Sequence, residues 1–185
     1  MDWLTFISQL IDSLAWPLAI IVIILILQRP IFEMVPFLGR IKYRDIEFEF
    51  NREVTELNEQ ALEVLAESLD DAVATEVRER ALQILPIAPK AAIIEAWRFV
   101  EGRFIDAARH YGIDVDSTML KKPLKVGEEL LKKRHINENH FAIFHHLRLL
   151  RNKVVHYDKL EVSPDEAVAY LDSALRLGSS VVTNR

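Results

Sequence analysis

The stretch that decides the fold is residues 137–159, NENHFAIFHHLRLLRNKVVHYDK. Its apolar residues recur at three- and four-residue steps, and Asn137 followed by Glu138 is typical of a helix start, so the pattern predicts one helix. One arc of this helix is apolar and consists of Ile143, Leu147, Leu150 and Val154. A second arc mixes aromatic, aliphatic and titratable side chains: Phe141, His145, Leu149, Asn152 and His156. A surface helix needs only one apolar stripe, and the second arc therefore predicts contact with another helix or subunit.

The last turns of this helix carry RNKVVH, residues 151–156, in which a fixed cation stands near an imidazole. A histidine can take the proton of a ribose 2′-hydroxyl near neutral pH, and an arginine can stabilise the charge that grows on a phosphate. Arg151, Asn152 and His156 are therefore candidate catalytic residues for RNA cleavage, with Asn152 expected to orient His156. This chemistry needs no metal or cofactor. The alternative is structural, with Arg151 as a surface cation and His156 as a partner of the helix dipole.

Positive charge gathers around the same helix, although the whole chain has a net charge of −5. Residues 45–118 hold 7 basic and 17 acidic side chains, a net charge of −10, whereas residues 119–159 hold 10 basic and 4 acidic side chains, a net charge of +6. The overall balance argues against a protein that coats nucleic acid indiscriminately, but the basic segment can attract phosphate. Its candidate phosphate ligands are Lys132, Lys133, Arg134, Arg148 and Lys153, and the alternative is an ordinary solvated face.

Two further residues are candidate auxiliary groups. His145 shares the arc of Asn152 and His156, and Tyr157 follows His156 directly. The remaining histidines do not suggest a metal site, because no pair has the four-residue spacing of a zinc-binding helix and no carboxylate completes a ligand set. The chain has no cysteine, no glycine-rich phosphate loop and no nucleophile elbow, so neither cysteine chemistry nor those hydrolase classes are predicted.

The sequence from about residue 86 to 182 resembles the HEPN superfamily of small helical domains. Three stretches carry the resemblance: APKAAIIEAWRFVEGRF at 88–104, LRLLRNKVVHY at 147–157 and SPDEAVAYLDSAL at 163–175. It implies an antiparallel four-helix bundle. Many members are metal-independent ribonucleases of toxin, antiphage and RNA-processing systems that carry Arg-x4-6-His with a polar residue after the arginine.

The motif residues of that family correspond to Arg151, Asn152 and His156. In the toxin branch one residue separates the histidine from a following tyrosine, whereas Tyr157 is directly adjacent here. HEPN nucleases place two motif copies across a two-fold groove, so the resemblance also implies a homodimer or higher homo-oligomer. Some HEPN domains are inactive binding modules.

The amino-terminal residues 1–29 predict a transmembrane anchor. Asp12 is the only charge between Trp3 and Gln28, and about 20 apolar residues cross a bilayer core of roughly 30 Å, so a span near residues 10–29 is expected. The start has no basic residue, and no small-residue cleavage site follows, which favours an anchor over a cleavable signal; a buried core helix is the alternative. Basic residues follow the span and none precedes it, which predicts a single-pass inner (plasma) membrane protein with its N-terminus outside and its C-terminal domain in the cytoplasm.

Residues 30–50 predict a membrane-proximal linker and a small β-hairpin, because apolar and polar side chains alternate at 41–43 and 46–50. Residues 51–85 predict an acidic amphipathic helical segment, which either leans on the domain or forms a short dimerising coiled coil. Residues 86–185 are then the HEPN-like domain. Within it Ser117 is expected to begin a basic helix that is interrupted at Pro123 and Gly127.

The sequence as a whole predicts a mainly α protein whose function is that of a membrane-anchored, metal-independent endoribonuclease of toxin or antiphage defence type. Its expected partners are RNA, the lipid bilayer, a second copy of the chain and a protein partner or antitoxin, with no cofactor. The alternative function is a non-catalytic, membrane-tethered adaptor or sensor whose helical bundle binds a protein or a nucleotide.

Overall fold

The described residues from 47 onward form seven helices. The computed structural model describes residues 3, 16–17, 20, 47–65 and 71–183. From residue 47 onward the described residues contain no strand, and their helices are α1 (47–64), α2 (Ala72–Ile84), α3 (Pro89–His110), α4 (Ser117–Leu120), α5 (Pro123–Lys132), α6 (Glu138–His156) and α7 (Pro164–Thr183). The prediction of a mainly α protein is confirmed.

The predicted transmembrane span falls almost entirely outside the described residues. Residues 1–45 form one unit and residues 46–185 form another. In the first unit the structure describes Trp3, Trp16, Pro17 and Ile20, which are helical and exposed. A search of the described residues finds no helix that is both long enough and apolar enough to cross a membrane.

The second strand of the predicted hairpin is wrong, because residues 47–50 are the first turn of α1. Phe50 is fully buried, whereas Phe48 is 77% exposed; a strand would have directed both side chains to one face. The buried stripe of α1 continues at helical steps through Val54, Leu57 and Ala61. This longer period decides the local structure over a short alternation. The first strand, at 41–43, lies outside the described residues.

Helix α1 is an integral part of the bundle. Asn51 Nδ2 donates a hydrogen bond to Glu166 Oε1 at 2.8 Å, and Ser173 Oγ donates to Asn58 Oδ1 at 3.2 Å. Because both partners advance by seven residues, α1 and α7 run parallel. The apolar stripe of α1 is buried within the chain's own bundle, which favours a helix that leans on the domain over a dimerising coiled coil.

Helices α3 and α6 run antiparallel through the core. The rings of Phe104 and Phe144 stack with centroids 4.0 Å apart, and Trp97 lies 5.3 Å from Phe144. Helix α5 packs against both α3 and α6. The predicted interruption at Gly127 is wrong, since this glycine lies inside α5, and a Cβ there would meet a Phe144 ring carbon at 2.9 Å. Glycine is therefore required for the close approach of α5 to α6.

Helix α2 is fixed to α3 and α7 through Asp71. This carboxylate caps α2 by accepting hydrogen bonds from the N–H groups of Val73 and Ala74, pairs with Arg103 of α3, and accepts a 2.7 Å hydrogen bond from Ser179 of α7. Burial raises the pKa of Asp71, but these hydrogen bonds and the Arg103 charge outweigh burial, and the net pKa lies below the ordinary value. The ionised carboxylate therefore stabilises the junction of three helices.

Candidate functional site at the end of helix α6

Local signals place the motif in the last two turns of α6. The Asn137 side chain accepts a hydrogen bond from the His140 N–H at 2.8 Å and begins the helix, as its sequence predicts. His156 is the last helical residue, and Tyr157 has extended backbone while its N–H still donates to Lys153 O at 3.0 Å. The chain therefore leaves the helix immediately after the candidate catalytic histidine.

The Arg151 guanidinium is held on two sides. Its Nη1 donates to Asn152 Oδ1 at 3.0 Å, and its Cζ lies 5.8 Å from the ring centroid of Trp97, a buried residue of α3. Arg151 Nε is also buried, with no hydrogen-bond partner among the described residues. A planar cation that rests on an indole face and is oriented by a side-chain amide has little freedom to turn.

Glu101 is a member of the site that the sequence reasoning missed. It is half-buried on α3, four residues after Trp97 and on the same face. Burial raises the pKa of Glu101, while the positive charges of Arg151 and Arg98 oppose that shift. The charge of Arg151 therefore reaches this carboxyl group, although no hydrogen bond or ion pair joins the two residues in the described part of the chain. The four-residue spacing from Trp97 could have identified it only if α3 had been known to face α6.

His156 is exposed and makes no hydrogen bond or ion pair with the residues that the structure describes. The predicted contact between Asn152 and His156 is not formed, because Asn152 Oδ1 accepts from its neighbour Arg151 instead. No hydrogen bond joins Arg151 and His156 among the described residues of one chain. The structure thus brings Arg151, Asn152 and Trp97 together and leaves the imidazole open to solvent.

Lys153, a predicted phosphate ligand, is paired with carboxylates of α1. Its Nζ lies 3.1 Å from Glu49 Oε1 and 2.8 Å from Glu53 Oε2. Burial lowers the pKa of Lys153, but the hydrogen bonds with Glu53 and Glu49 raise it more, so the net pKa lies above the ordinary value. In turn, the hydrogen bond from Lys153 and its positive charge lower the pKa of Glu49. In this structure Lys153 ties α1 to the motif helix.

The other predicted phosphate ligands form a weak ion pair or none with the described residues. Lys132 is exposed and lies 3.5 Å from Glu129 Oε1, which is a surface pair of little strength. Lys133 and Arg134 are exposed, Arg148 is half-buried, and none of the three forms an ion pair within the described part of the chain. Three further exposed cations of the same segment also form no ion pair with described residues: Lys121, Lys122 and Lys125.

The remaining histidines of α6 form no hydrogen bond with Arg151 in the described part of the chain. The half-buried His145 ring is nearly parallel to the Phe141 ring, with centroids 6.3 Å apart, and the exposed Tyr157 follows the helix end. Burial lowers the pKa of His140 and of His146. In the described ranges no three histidine, cysteine, aspartate or glutamate residues are grouped so that they could hold a metal ion.

Chemically, the end of α6 combines an oriented guanidinium with an accessible imidazole, a pair suited to charge stabilisation and proton transfer at a phosphate ester. Comparisons of the chain with protein-family models, with curated proteins and with solved structures gave no match.

Proposed function

We propose that this chain is a metal-independent endoribonuclease of the HEPN type. The observation that carries the proposal is the state of the two motif residues: Asn152 and Trp97 hold Arg151 in one orientation, whereas His156 is exposed. A cation that stabilises a transition state gains from being preorganised, and a proton-transfer group must reach its substrate. The proposal includes a HEPN-like arrangement of α3, α5, α6 and α7.

The proposed reaction is an internal transesterification. The His156 imidazole takes the proton of a ribose 2′-hydroxyl, and the 2′ oxygen forms a bond to the adjacent phosphorus. The bond from phosphorus to the 5′ oxygen breaks, and that oxygen receives the proton that the His156 imidazolium has taken from the 2′-hydroxyl. Arg151 stabilises the negative charge on the phosphorane oxygens. The products are a 2′,3′-cyclic phosphate and a 5′-hydroxyl, with atoms and charge balanced and no external electron donor or acceptor.

A second copy of the chain completes the proposed site. Leu149 is 42% exposed on the same arc of α6 as Asn152 and His156, and Val155, next to His156 in the chain, is also exposed. Two such arcs can bury each other's aliphatic surface about a two-fold axis. Since no hydrogen bond joins Arg151 and His156 among the described residues of one chain, the proposed cleft combines Arg151 of one copy with His156 of the other.

The proposed RNA path follows the cations that have no carboxylate partner in the described residues. Lys133, Arg134 and Arg148 offer positive charge next to the motif helix, and phosphates attract such side chains through release of counterions. Lys132 joins this surface because its pair with Glu129 is weak. Lys153 would join it only by exchanging the carboxylates of Glu49 and Glu53 for phosphate.

Membrane tethering through residues 1–29, with the domain in the cytoplasm, is part of the proposal. Its support is the run of about 20 apolar residues and the basic residues that follow it. Resistance of the full chain to carbonate extraction, together with protease accessibility of the domain only from the cytoplasmic side, is the expected result. Release of the chain by carbonate would contradict this part.

The test of the nuclease is cleavage of single-stranded RNA by the full chain in the presence of chelator. Arg151→Ala and His156→Ala should each lower the rate by about a hundredfold or more. Arg98→Ala and His110→Ala are matched controls, because they remove an exposed cation and an exposed histidine of α3; both should cleave like the original chain.

Equal background cleavage by all five proteins would contradict the proposal. It would favour the second function, a membrane-tethered adaptor or sensor, for which the specific support is the exposed aliphatic and aromatic surface of Leu149, Val155 and Tyr157. Such a surface fits a protein partner, including a neutralising one.

A further inference from the structure

Lys90 is a cation at the electrostatically unfavourable end of a helix. It is the second residue of α3, after Pro89, where the helix dipole disfavours positive charge. No acidic residue stands in this first turn, and the N-cap residue Ala88 makes no side-chain capping hydrogen bond. The local sequence of α3 therefore gives no reason for a lysine at this position.

Lys90 instead contacts the carboxyl end of the neighbouring helix α6. Lys90 Nζ donates to the backbone carbonyl oxygens of Asp158 at 3.0 Å and Tyr157 at 3.4 Å. These are the first two carbonyls after His156, the last residue of α6. A helix carboxyl end carries partial negative charge, and a lysine donor is favourable there. The Lys90 ammonium thus stabilises the end of α6.

One face of α3 contacts both Arg151 and the turn that follows His156. Lys90, Trp97 and Glu101 follow each other at steps of seven and four residues, which places them on the same side of the helix. Trp97 lies beneath the guanidinium of Arg151, and the charge of Arg151 acts on Glu101. Because α3 and α6 are antiparallel, Lys90 lies at the His156 end and Trp97 at the Arg151 position.

We infer that Lys90 is a positioning residue for His156: its ammonium ties the peptide that follows the histidine to the helix that also holds Arg151. The two motif residues are thereby positioned by the same helix, α3, although no hydrogen bond joins them among the described residues. This inference rests on the proposed ribonuclease function. Lys90 itself needs no contact with the substrate.

The kinetic test compares Lys90→Met, which keeps the length of the side chain but removes the charge, with Lys90→Arg and Arg98→Met. Arg98 is a control from the same helix, with 75% of its side chain exposed. Lys90→Met should lower kcat by about tenfold or more and leave KM within about twofold, since misplacing a catalytic group costs rate more than binding. Lys90→Arg should recover most of kcat, because arginine can also donate to two carbonyls. Arg98→Met should match the original chain.

A second measurement does not depend on activity. The Tyr157 N–H donates to Lys153 O at 3.0 Å and reports on the last turn of α6. Hydrogen exchange at this amide should be about fivefold faster or more in Lys90→Met, and unchanged in Arg98→Met.

The outcomes separate this inference from the function on which it rests. Unchanged hydrogen exchange at Tyr157 in Lys90→Met would show that Lys90 does not stabilise the end of α6, whether or not the chain cleaves RNA. Faster exchange with an unchanged kcat would leave Lys90 as a helix cap only and overturn its positioning role. A raised KM with an unchanged kcat would make Lys90 a phosphate ligand and also overturn it. A cleavage-deficient original chain with faster exchange in the variant would remove the proposed function and the positioning role together, while the cap itself would stand.

Discussion

Helices α3 and α5 end in the same backbone motif but with different residues at its left-handed position. In α3 this residue is Gly112 with φ 68°, and in α5 it is Arg134 with φ 59°. In both cases the next N–H donates to the carbonyl five residues earlier, at 2.9 Å. Glycine adopts this conformation without strain, whereas a side chain costs about 1 kcal/mol. The acidic region, residues 45–118, therefore has glycine at the left-handed position of its turn. The basic region, residues 119–159, has a strained arginine at the equivalent position.

The same division applies to the ion pairs. Every arginine of residues 47–110 lies within 4.0 Å of a carboxylate. In residues 117–148, by contrast, most cations form no ion pair with described residues, and Lys132 makes only a long one. In the first region Arg78, Arg80 and Arg103 pair with a carboxylate outside their own helix. The other arginines pair within their own helix: Arg52, Arg98 and Arg109. Most cations of the second region make no such pair with described residues, and the proposed RNA path uses them.

The largest expected effect on stability comes from removing the Asp71 carboxylate of the first region, which joins three helices. Asp71→Ala should lower the free energy of unfolding by about 3 kcal/mol, because it removes a helix cap and leaves the largely buried Arg103 without its partner. Denaturant unfolding measures this change. Glu76→Ala, which removes an exposed acid 4.0 Å from Arg80, is the control and should change stability by less than about 0.5 kcal/mol. A similar small effect for both variants would show that the Asp71 junction does not stabilise the domain.

The Asp71 contribution should also depend on pH. The folded-state pKa of Asp71 lies below its ordinary value of 3.8. The stability that the ionised carboxylate contributes is therefore fully present above about pH 4 and is lost as the pH falls through the folded-state pKa. The stability difference between the original chain and Asp71→Asn should narrow on acidification from pH 6 to pH 3. A difference that stays constant over this range would contradict the assigned shift.

Exchanging the residues at the two helix ends sharpens the comparison. Arg134→Gly should raise the free energy of unfolding by about 1 kcal/mol, since it relieves a strained backbone, whereas Gly112→Ala should lower it by a similar amount. Arg134→Gly should at the same time weaken binding of single-stranded RNA. A variant that is stabler and binds RNA as well as the original chain would show that Arg134 is not kept for RNA.

The smallest stability effect is expected from a cation without an ion pair in the second region. Lys133→Gln should change the free energy of unfolding by less than about 0.5 kcal/mol. It should nevertheless lower the slope of log binding constant against log salt by about 0.7 if Lys133 contacts one phosphate of single-stranded RNA. Arg109→Gln, at an exposed cation that lies 3.9 Å from Asp106, is the control and should leave the slope unchanged. Equal slopes for all three proteins would remove Lys133 from the RNA surface.

Signals that act within a few residues were enough to predict most helices. The Asn137 cap begins α6, and Pro89 begins α3, which ends just before Gly112. Ser163 and Glu166 form a capping box at the start of α7, a pattern readable from SPDE in the sequence, with hydrogen bonds of 2.7 to 3.2 Å between them. The hairpin prediction failed because only a few alternating residues supported it, while the helical stripe from Phe50 extends over several turns.

Contacts between helices could not be predicted, because they depend on register. Lys90 and Glu101 carry no motif, and their roles follow only from the antiparallel packing of α3 on α6. Helical geometry correctly put Asn152 and His156 on one arc, but it could not predict that Asn152 would bond to the adjacent Arg151. The left-handed conformation at Arg134 could not be predicted from the sequence either, because glycine or asparagine, and not arginine, is typical of that position.

The most direct test of the central claim asks whether two copies share one cleft. Arg151→Ala and His156→Ala chains, each inactive alone, are co-expressed with different tags and purified as the mixed dimer. If Arg151 of one copy works with His156 of the other, one of the two clefts is intact, and about half of the original RNA cleavage rate should return. A mixed dimer that is as inactive as either variant alone would contradict the shared cleft.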